Sequence, residues 1–490
     1  MPIKSHQLMS VALLFLALVL QLVACKSKET PKDTDPIPND TLPKAQVWVT
    51  SGDQTKLLTK HESLNIRAVD PTLWPVVRID TSIRFQAIEG YGAALTGSSA
   101  YLINQKLSGV ERQKLLSDLF DPEDGIGISY LRLTMGASDF SLSDFSYNDL
   151  PVGQTDFNLV QFGLSQDLDD VVPVMKEIVA ISPDIGIMGS PWSPPAWMKT
   201  NGNMKGGKLK DDYYPVYADY FVRYIQAMSQ EGIPIHSVTP QNEPLYFTAN
   251  YPCMEMQADD QLKFVRDHLG PAFAGAGLNT KIILYDHNWD VPDYAISILD
   301  DPDARQYIAG SAFHAYGGNV SAMSTVKNAH PDKDLYFTEI SGGEWATNFG
   351  DNLMWNMSNI FIGTALNWSK TALLWNLVLD QNHGPKNNGC QDCRGVVTLN
   401  TITGQLDYNE EYYSIGHFSK FVRPGAERVS VLLPQSMPQV GAVAFLNTDG
   451  KKVLVFCNYG NEIQTFTVNQ HNKFFTMSLT GKSVTTIVWN

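Results

Sequence analysis

The sequence predicts an α/β protein: a (β/α)8 TIM barrel with a side β-sandwich built from both chain ends. Three observations carry this. Between residues 85 and 423, strand-like apolar runs alternate with helix-like segments through eight units, the rhythm of a closed parallel barrel. On either side, residues 45–84 and 424–490 hold only short extended runs without a helical period. Polar and aromatic residues stand directly after the barrel runs, where a β/α barrel gathers its site. An open doubly wound sheet would alternate similarly, but no glycine-rich phosphate fingerprint is present.

The elements follow in order. Lys4 and the apolar run Leu8 to Val23 end in Leu22-Val23-Ala24-Cys25, too short for a membrane span and built like a secretory signal over residues 1–24. The small residue before the cysteine resembles a bacterial lipobox, so Cys25 is expected to be acylated and to anchor the chain to a membrane. Residues 25–44, rich in Lys, Asp, Thr and Pro, read as a flexible tether. Lys26 after Cys25 favours the outer membrane or cell surface. Val47-Trp48-Val49, Leu64-Asn65-Ile66 and Val76 to Ile79 supply the first sandwich strands. The barrel is expected to open at Phe85 to Gly92. Its later strands are expected at Ile128 to Thr134, Ile185 to Met188, Ile235 to Val238, Lys281 to Tyr285, Gly310 to His314, the run ending at Glu339, and Ala372 to Trp375. After Pro424 the runs Arg428 to Leu433, Val440 to Leu446, Val453 to Asn458, Ile463 to Val468 and Ser483 to Trp489 complete the sandwich.

A net charge of −15 argues against a nucleic-acid partner. Ten tryptophans and twenty tyrosines are ample for stacking on sugar rings, though most aromatics in any chain serve the core. Cys390-Gln391-Asp392-Cys393 has zinc-like spacing without a second pair, so no metal is expected; a loop disulfide or free thiols are the alternatives.

Two strand ends carry glutamates: Thr239-Pro240-Gln241-Asn242-Glu243-Pro244 and Tyr336-Phe337-Thr338-Glu339-Ile340. Cleaving an acetal needs a proton on the departing oxygen and stabilisation of the oxocarbenium-like carbon from the other face, which two carboxyls about 5 to 5.5 Å apart provide with retention of configuration. Around them the strand ends offer Asp139, Trp192, Asp286, His287, His314, Tyr316 and Trp375. Hydrogen bonding or binding-site support is the expected role of His287 and His314.

Pro191-Trp192-Ser193-Pro194-Pro195-Ala196-Trp197-Met198-Lys199-Thr200-Asn201-Gly202, then Asn242-Glu243-Pro244, Thr338-Glu339 and Gly416-His417-Phe418-Ser419-Lys420-Phe421 resemble glycoside hydrolase family 30, which includes lysosomal glucosylceramidase. The resemblance implies Glu243 as acid/base, Glu339 as nucleophile and Asn242 as partner of the sugar 2-hydroxyl. It also implies that Asp139, Trp192, Tyr316 and Trp375 line the glucose subsite. Tyr251-Pro252-Cys253-Met254, Tyr285 to Asp290 and His314 to Gly318 look more like the β-1,6-glucanase branch, implying a β-glucan substrate. An exo-acting β-glucosidase or glucosylceramidase and a non-catalytic glycan-binding lipoprotein are the alternatives. No cofactor is expected. Glu243 must hold its proton near neutral pH, and the charge of Glu339 is expected to raise its pKa.

Overall fold

Eight parallel strands close into a barrel: Gly90–Leu95, Tyr130–Thr134, Gly186–Ser190, Ser237–Val238, Lys281–Asn288, Ile308–His314, Asp334–Glu339 and Ser369–Leu374. This computed structural model describes residues 42–71 and 73–490, with Pro43–Asn490 as one compact unit. The expected signal segment, Cys25 and nearly all of the tether lie outside the described residues. Among these, no helix is long and apolar enough to cross a membrane.

The barrel strands are buried on both faces, so their sequences read as continuous apolar runs. Tyr130, Met188, Ile283, Ala312, Tyr336 and Leu373 fill the barrel interior. Outside, the helix Tyr214–Gln230 buries Tyr217, Tyr220, Phe221, Tyr224 and Met228 at intervals of one to four residues, an apolar stripe turned toward the strands. The helix Gly109–Phe120 starts from a capping box between Ser108 and Glu111, which satisfies backbone donors that the first turn leaves open.

A nine-stranded sheet stands beside the barrel in the order Thr59–Asn65, Lys44–Ser51, Ser483–Trp489, Lys452–Asn458, Val440–Leu446, Glu427–Leu432, Val76–Ala87, Gln464–Gln470, Lys473–Leu479. The two ends of the chain are joined directly: Gln46 lies opposite Val488 and Thr50 opposite Val484. Phe456, Phe466, Phe475 and Trp489 belong to a separate sandwich core. The seam with the barrel is formed by Trp48 against Phe421, at 4.5 Å between ring centroids, and by His417 between Thr50 and Thr486, each at 2.8 Å.

Three details differ from the sequence reading. The run Phe85 to Gly92 is divided: Phe85 to Ala87 finish the sandwich strand Val76–Ala87, and the barrel begins at Gly90. Gly90 has φ +155° and a Cβ there would lie 2.7 Å from Ser129 Oγ, so the chain changes sheets where a side chain would not fit. The first sandwich strand already starts at Lys44. A further strand, Lys473–Leu479, pairs with Gln464–Gln470 through a turn in which His471 and Asn472 both have positive φ. That geometry normally calls for Asn-Gly or Asp-Gly, so the turn was not visible in the sequence. Cys390 and Cys393 form a disulfide.

Candidate active site

The two glutamates meet at the C-terminal mouth of the barrel. A carboxylate oxygen of Glu243, one of Glu339 and a ring nitrogen of His314 all lie within 4.8 Å of one another. Glu243 is carried past the short strand Ser237–Val238 by Thr239 and Asn242, whose N–H groups bond to Gly189 and Pro191 carbonyls. Its own N–H donates to the Asp286 carbonyl at 3.0 Å, and its φ is +43°. Such left-handed backbone costs energy in a non-glycine residue and persists only where surroundings enforce it. Tyr285 and Asp286 share this conformation, with φ of +71° and +64°. Glu339 follows a register shift between Phe337 and Glu339 against the neighbouring strand, which redirects its side chain.

Arg132 ties these groups together, and sequence reasoning missed it. Fully buried in Tyr130–Thr134, it donates to Glu339 Oε2 (2.5 Å), Asn242 Oδ1 (2.7 Å), Asp286 Oδ2 (2.8 Å) and Ser190 Oγ (3.2 Å). A buried guanidinium needs such partners, because removing its charge from water is costly. The available signal was an arginine inside the apolar strand Tyr130-Leu131-Arg132-Leu133.

Asp286, present in the strand-end set but without an assigned role, is the second hub. Its carboxylate accepts from Arg132, Ser190, Thr239, Thr338 and His314 at 2.7 to 3.0 Å. Burial would raise its pKa, but Arg132, His314 and these hydrogen bonds hold it well below the usual carboxylate range. His314 bridges Asp286 Oδ1 at 3.0 Å and Glu243 Oε1 at 3.1 Å. Burial would lower its pKa, yet the charges of Glu339 and Asp286 and the hydrogen bonds to Asp286 and Glu243 raise it to about 9.

The anticipated charge pattern is therefore corrected for the free site. Burial pushes Glu243 up, but the hydrogen bond and charge of His314 prevail and hold it below the ordinary glutamate range. Glu339 lies above that range: burial and the charges of Glu243 and Asp286 outweigh His314 and Arg132. The proton resides on His314, one hydrogen bond from Glu243. These groups titrate as a set.

The structure brings the remaining expected residues to the same mouth. Trp192 and Trp375 stack with centroids 5.0 Å apart, and the Arg132 guanidinium lies 4.9 Å and 5.6 Å from their rings. Asn242 Oδ1 accepts from Arg132, leaving Nδ2 as its donor to a ligand. Tyr316 OH donates to Glu339 Oε1 at 3.1 Å. Asp139 is half-buried with its Oδ1 covered; desolvation and the charges of Glu339 and Glu243 push its carboxyl far up, and that Oδ1 has no partner within the protein. His287 Nδ1 and Asn376 Nδ2 are unpartnered in the same way. Buried polar atoms of this kind are normally satisfied, and here they suit a hydroxyl-rich ligand. By contrast, a cavity of about 720 Å³ at the opposite barrel end has its lysines, Lys281 and Lys370, ion-paired with Glu89.

Residues 88–422 match the glycosyl hydrolase family 30 TIM-barrel domain, and residues 425–487 match the family's β-sandwich domain. The chain belongs to glycosyl hydrolase family 30. This family 30 glycoside hydrolase is 35% identical over 407 residues to an endo-1,6-β-D-glucanase of Neurospora crassa, covering 80% of this chain and 83% of the relative. It is 30% identical to the lysosomal acid glucosylceramidase of Mus musculus, covering 83% and 82%. A solved endo-β1,6-glucanase superimposes with a TM-score of 0.85 at 35% identity, covering 91% of this chain and 99% of that one.

Proposed function

We propose that this chain hydrolyses β-glucosidic bonds with retention of configuration, as an endo-β-1,6-glucanase. One observation carries the mechanism: oxygens of Glu243 and Glu339 lie within 4.8 Å, a separation that leaves no room for a water between carboxyl and anomeric carbon, as inversion requires. Glu339 attacks the anomeric carbon. Glu243 protonates the departing oxygen, and the C–O bond breaks as the glycosyl ester forms. Water then adds at the same carbon with Glu243 accepting its proton, which releases Glu339 and the sugar.

His314 supplies the proton that this scheme needs on Glu243. Moving it from Nδ1 to Oε1 across the 3.1 Å hydrogen bond converts an ion pair into two neutral groups without changing the net charge. The change is favoured as substrate excludes water, because a separated pair of charges loses solvation. Asp286 receives the other ring nitrogen and orients the imidazole. Arg132 holds Glu339 and Asn242 in place. Asp139, Trp192, Asn242, Tyr316 and Trp375 bind the reacting glucose.

The β-1,6 preference is supported by likeness to endo-1,6-glucanases at 35% identity against 30% for the mouse glucosylceramidase. Incubation with β-1,6-glucan, β-1,3-glucan, xylan and glucosylceramide tests it. Early oligosaccharides from β-1,6-glucan alone are expected; glucose released from glucosylceramide instead would replace the endo reading with an exo-glucosidase. Azide assigns the two glutamates. Glu339→Ala should yield α-glucosyl azide and Glu243→Ala β-glucosyl azide, each with turnover in its absence reduced by about 100-fold or more. The reverse products would exchange the roles.

A further inference from the structure

The barrel mouth has two unlike halves. Trp192 and Trp375, just past strands three and eight, are buried, and Asp139, past strand two, is half-buried beside them. Tyr316 and the loop following strand seven, on the other half, are open. From Tyr316 a groove of about 480 Å³ runs outward, over Ser341, Gly342 and Gly343, to Trp345, Asn352 and Trp355. Its size is that of a small-molecule binding cleft.

Three aromatic rings stand exposed along it: Tyr316 at 47%, Trp345 at 56% and Trp355 at 44%. Large rings are seldom left bare in a row without a binding role. Trp345 is seated rather than dangling. A Cβ on Gly343 would fall 2.1 Å from its ring, so the indole rests on glycine backbone and the rest of its surface faces solvent. The floor beneath is braced as well. Gly342–Gly343 pair with Cys393–Arg394, the cysteine is disulfide-bonded to Cys390, and Arg394 is ion-paired at 2.8 Å with the buried Glu411. Asn352 Nδ2 bonds to the Ala346 carbonyl at 2.6 Å, which leaves its Oδ1 for a hydroxyl. Braced backbone, flat rings and an amide oxygen suit pyranose units, which offer apolar C–H faces and equatorial hydroxyls.

We propose that this groove binds the glucosyl units on the leaving-group side of the cleaved bond, with Trp345 and Trp355 as their stacking platforms. The assignment rests on the endo-glucanase reading. Its direction follows from the barrel order: the buried half formed by strands eight, two and three encloses the reacting ring. The departing oxygen must face Glu243, whose carboxyl is hydrogen-bonded to His314 at the end of strand six; Tyr316 follows that strand, and strand seven beside it leads into the groove. A chain leaving that way meets Tyr316 first and then the two indoles. The groove thereby makes cleavage within a polymer favourable, because sugars beyond the bond add transition-state binding.

The test compares kcat/KM on a β-1,6-linked glucohexaose with that on an aryl β-glucoside, which carries no leaving-group sugars. In Trp355→Ala and Trp345→Ala the hexaose-to-aryl ratio should fall by about 10-fold from that of wild type, consistent with the loss of one aromatic stacking surface. Trp355→Phe should restore most of the ratio, which separates stacking from a folding defect. A wild-type ratio in both alanine variants would overturn the groove assignment while leaving the glucanase reading intact. Wild-type protein that cleaves the aryl glucoside but not the hexaose would overturn both.

Discussion

His314 keeps its proton inside a cage of carboxylates, and this makes the stability of the fold depend on pH. The imidazole is moved from its ordinary 6.5 up to about 9. At about 1.4 kcal/mol per tenfold change in proton affinity, the difference corresponds to about 3 kcal/mol of folding stability. Because the folded pKa lies above the unfolded one, the contribution is fully present below pH 6.5 and is lost as pH rises through about 9. Lys199, lowered to about 7 by burial, and Glu410, raised to about 8 by burial and the charge of Glu411, titrate in the same window. Wild type alone therefore does not isolate His314. A His314→Gln variant retains both other groups, and their contributions cancel in the comparison. Urea unfolding at about pH 6 and about pH 9.5 should show the stability gap between wild type and variant shrinking by about 3 kcal/mol. A gap constant to within about 1 kcal/mol would refute the buried imidazolium, and with it the proton source assigned to Glu243.

Asp286→Asn leaves Arg132 and His314 facing a neutral amide in place of their shared carboxylate. Breaking a buried charge pair of this kind costs about 3–5 kcal/mol, read as a lowered urea midpoint; a wild-type midpoint would show that the hub is not needed for stability. At Gly342 a Cβ would sit 1.8 Å from Glu411 Oε1 and 3.2 Å from Arg394 Nε. Gly342→Ala should therefore destabilise by about 1–3 kcal/mol and weaken hexaose cleavage by shifting the groove floor. Unchanged thermal unfolding and kinetics would show that the ion pair can move aside.

Much of the fold was open to inspection because its signals are local. Apolar runs separated by helix-like segments identify barrel units one at a time, and the strand-end glutamates, Asn242 and the Pro191 to Gly202 motif each lie in contiguous stretches. The division of Phe85 to Gly92 between two sheets was hidden, since the apolar run continues across the point where the chain changes partner. The strand Lys473–Leu479 escaped because His471-Asn472 is an uncommon residue pair for a tight hairpin turn.

By itself the sequence determined the fold class and the family resemblance, and it pointed to the residues proposed for acid–base and nucleophilic work. Tertiary structure decided how those residues share charge. Arg132, Asp286 and His314 act as one network although they come from strands two, five and six and are separated by up to 182 residues. Where a proton rests depends on distance, burial and neighbouring charge in three dimensions, and barrel closure sets all three at once. The same closure placed Tyr316, Trp345 and Trp355 along one groove, a juxtaposition to which no local pattern in the chain corresponds.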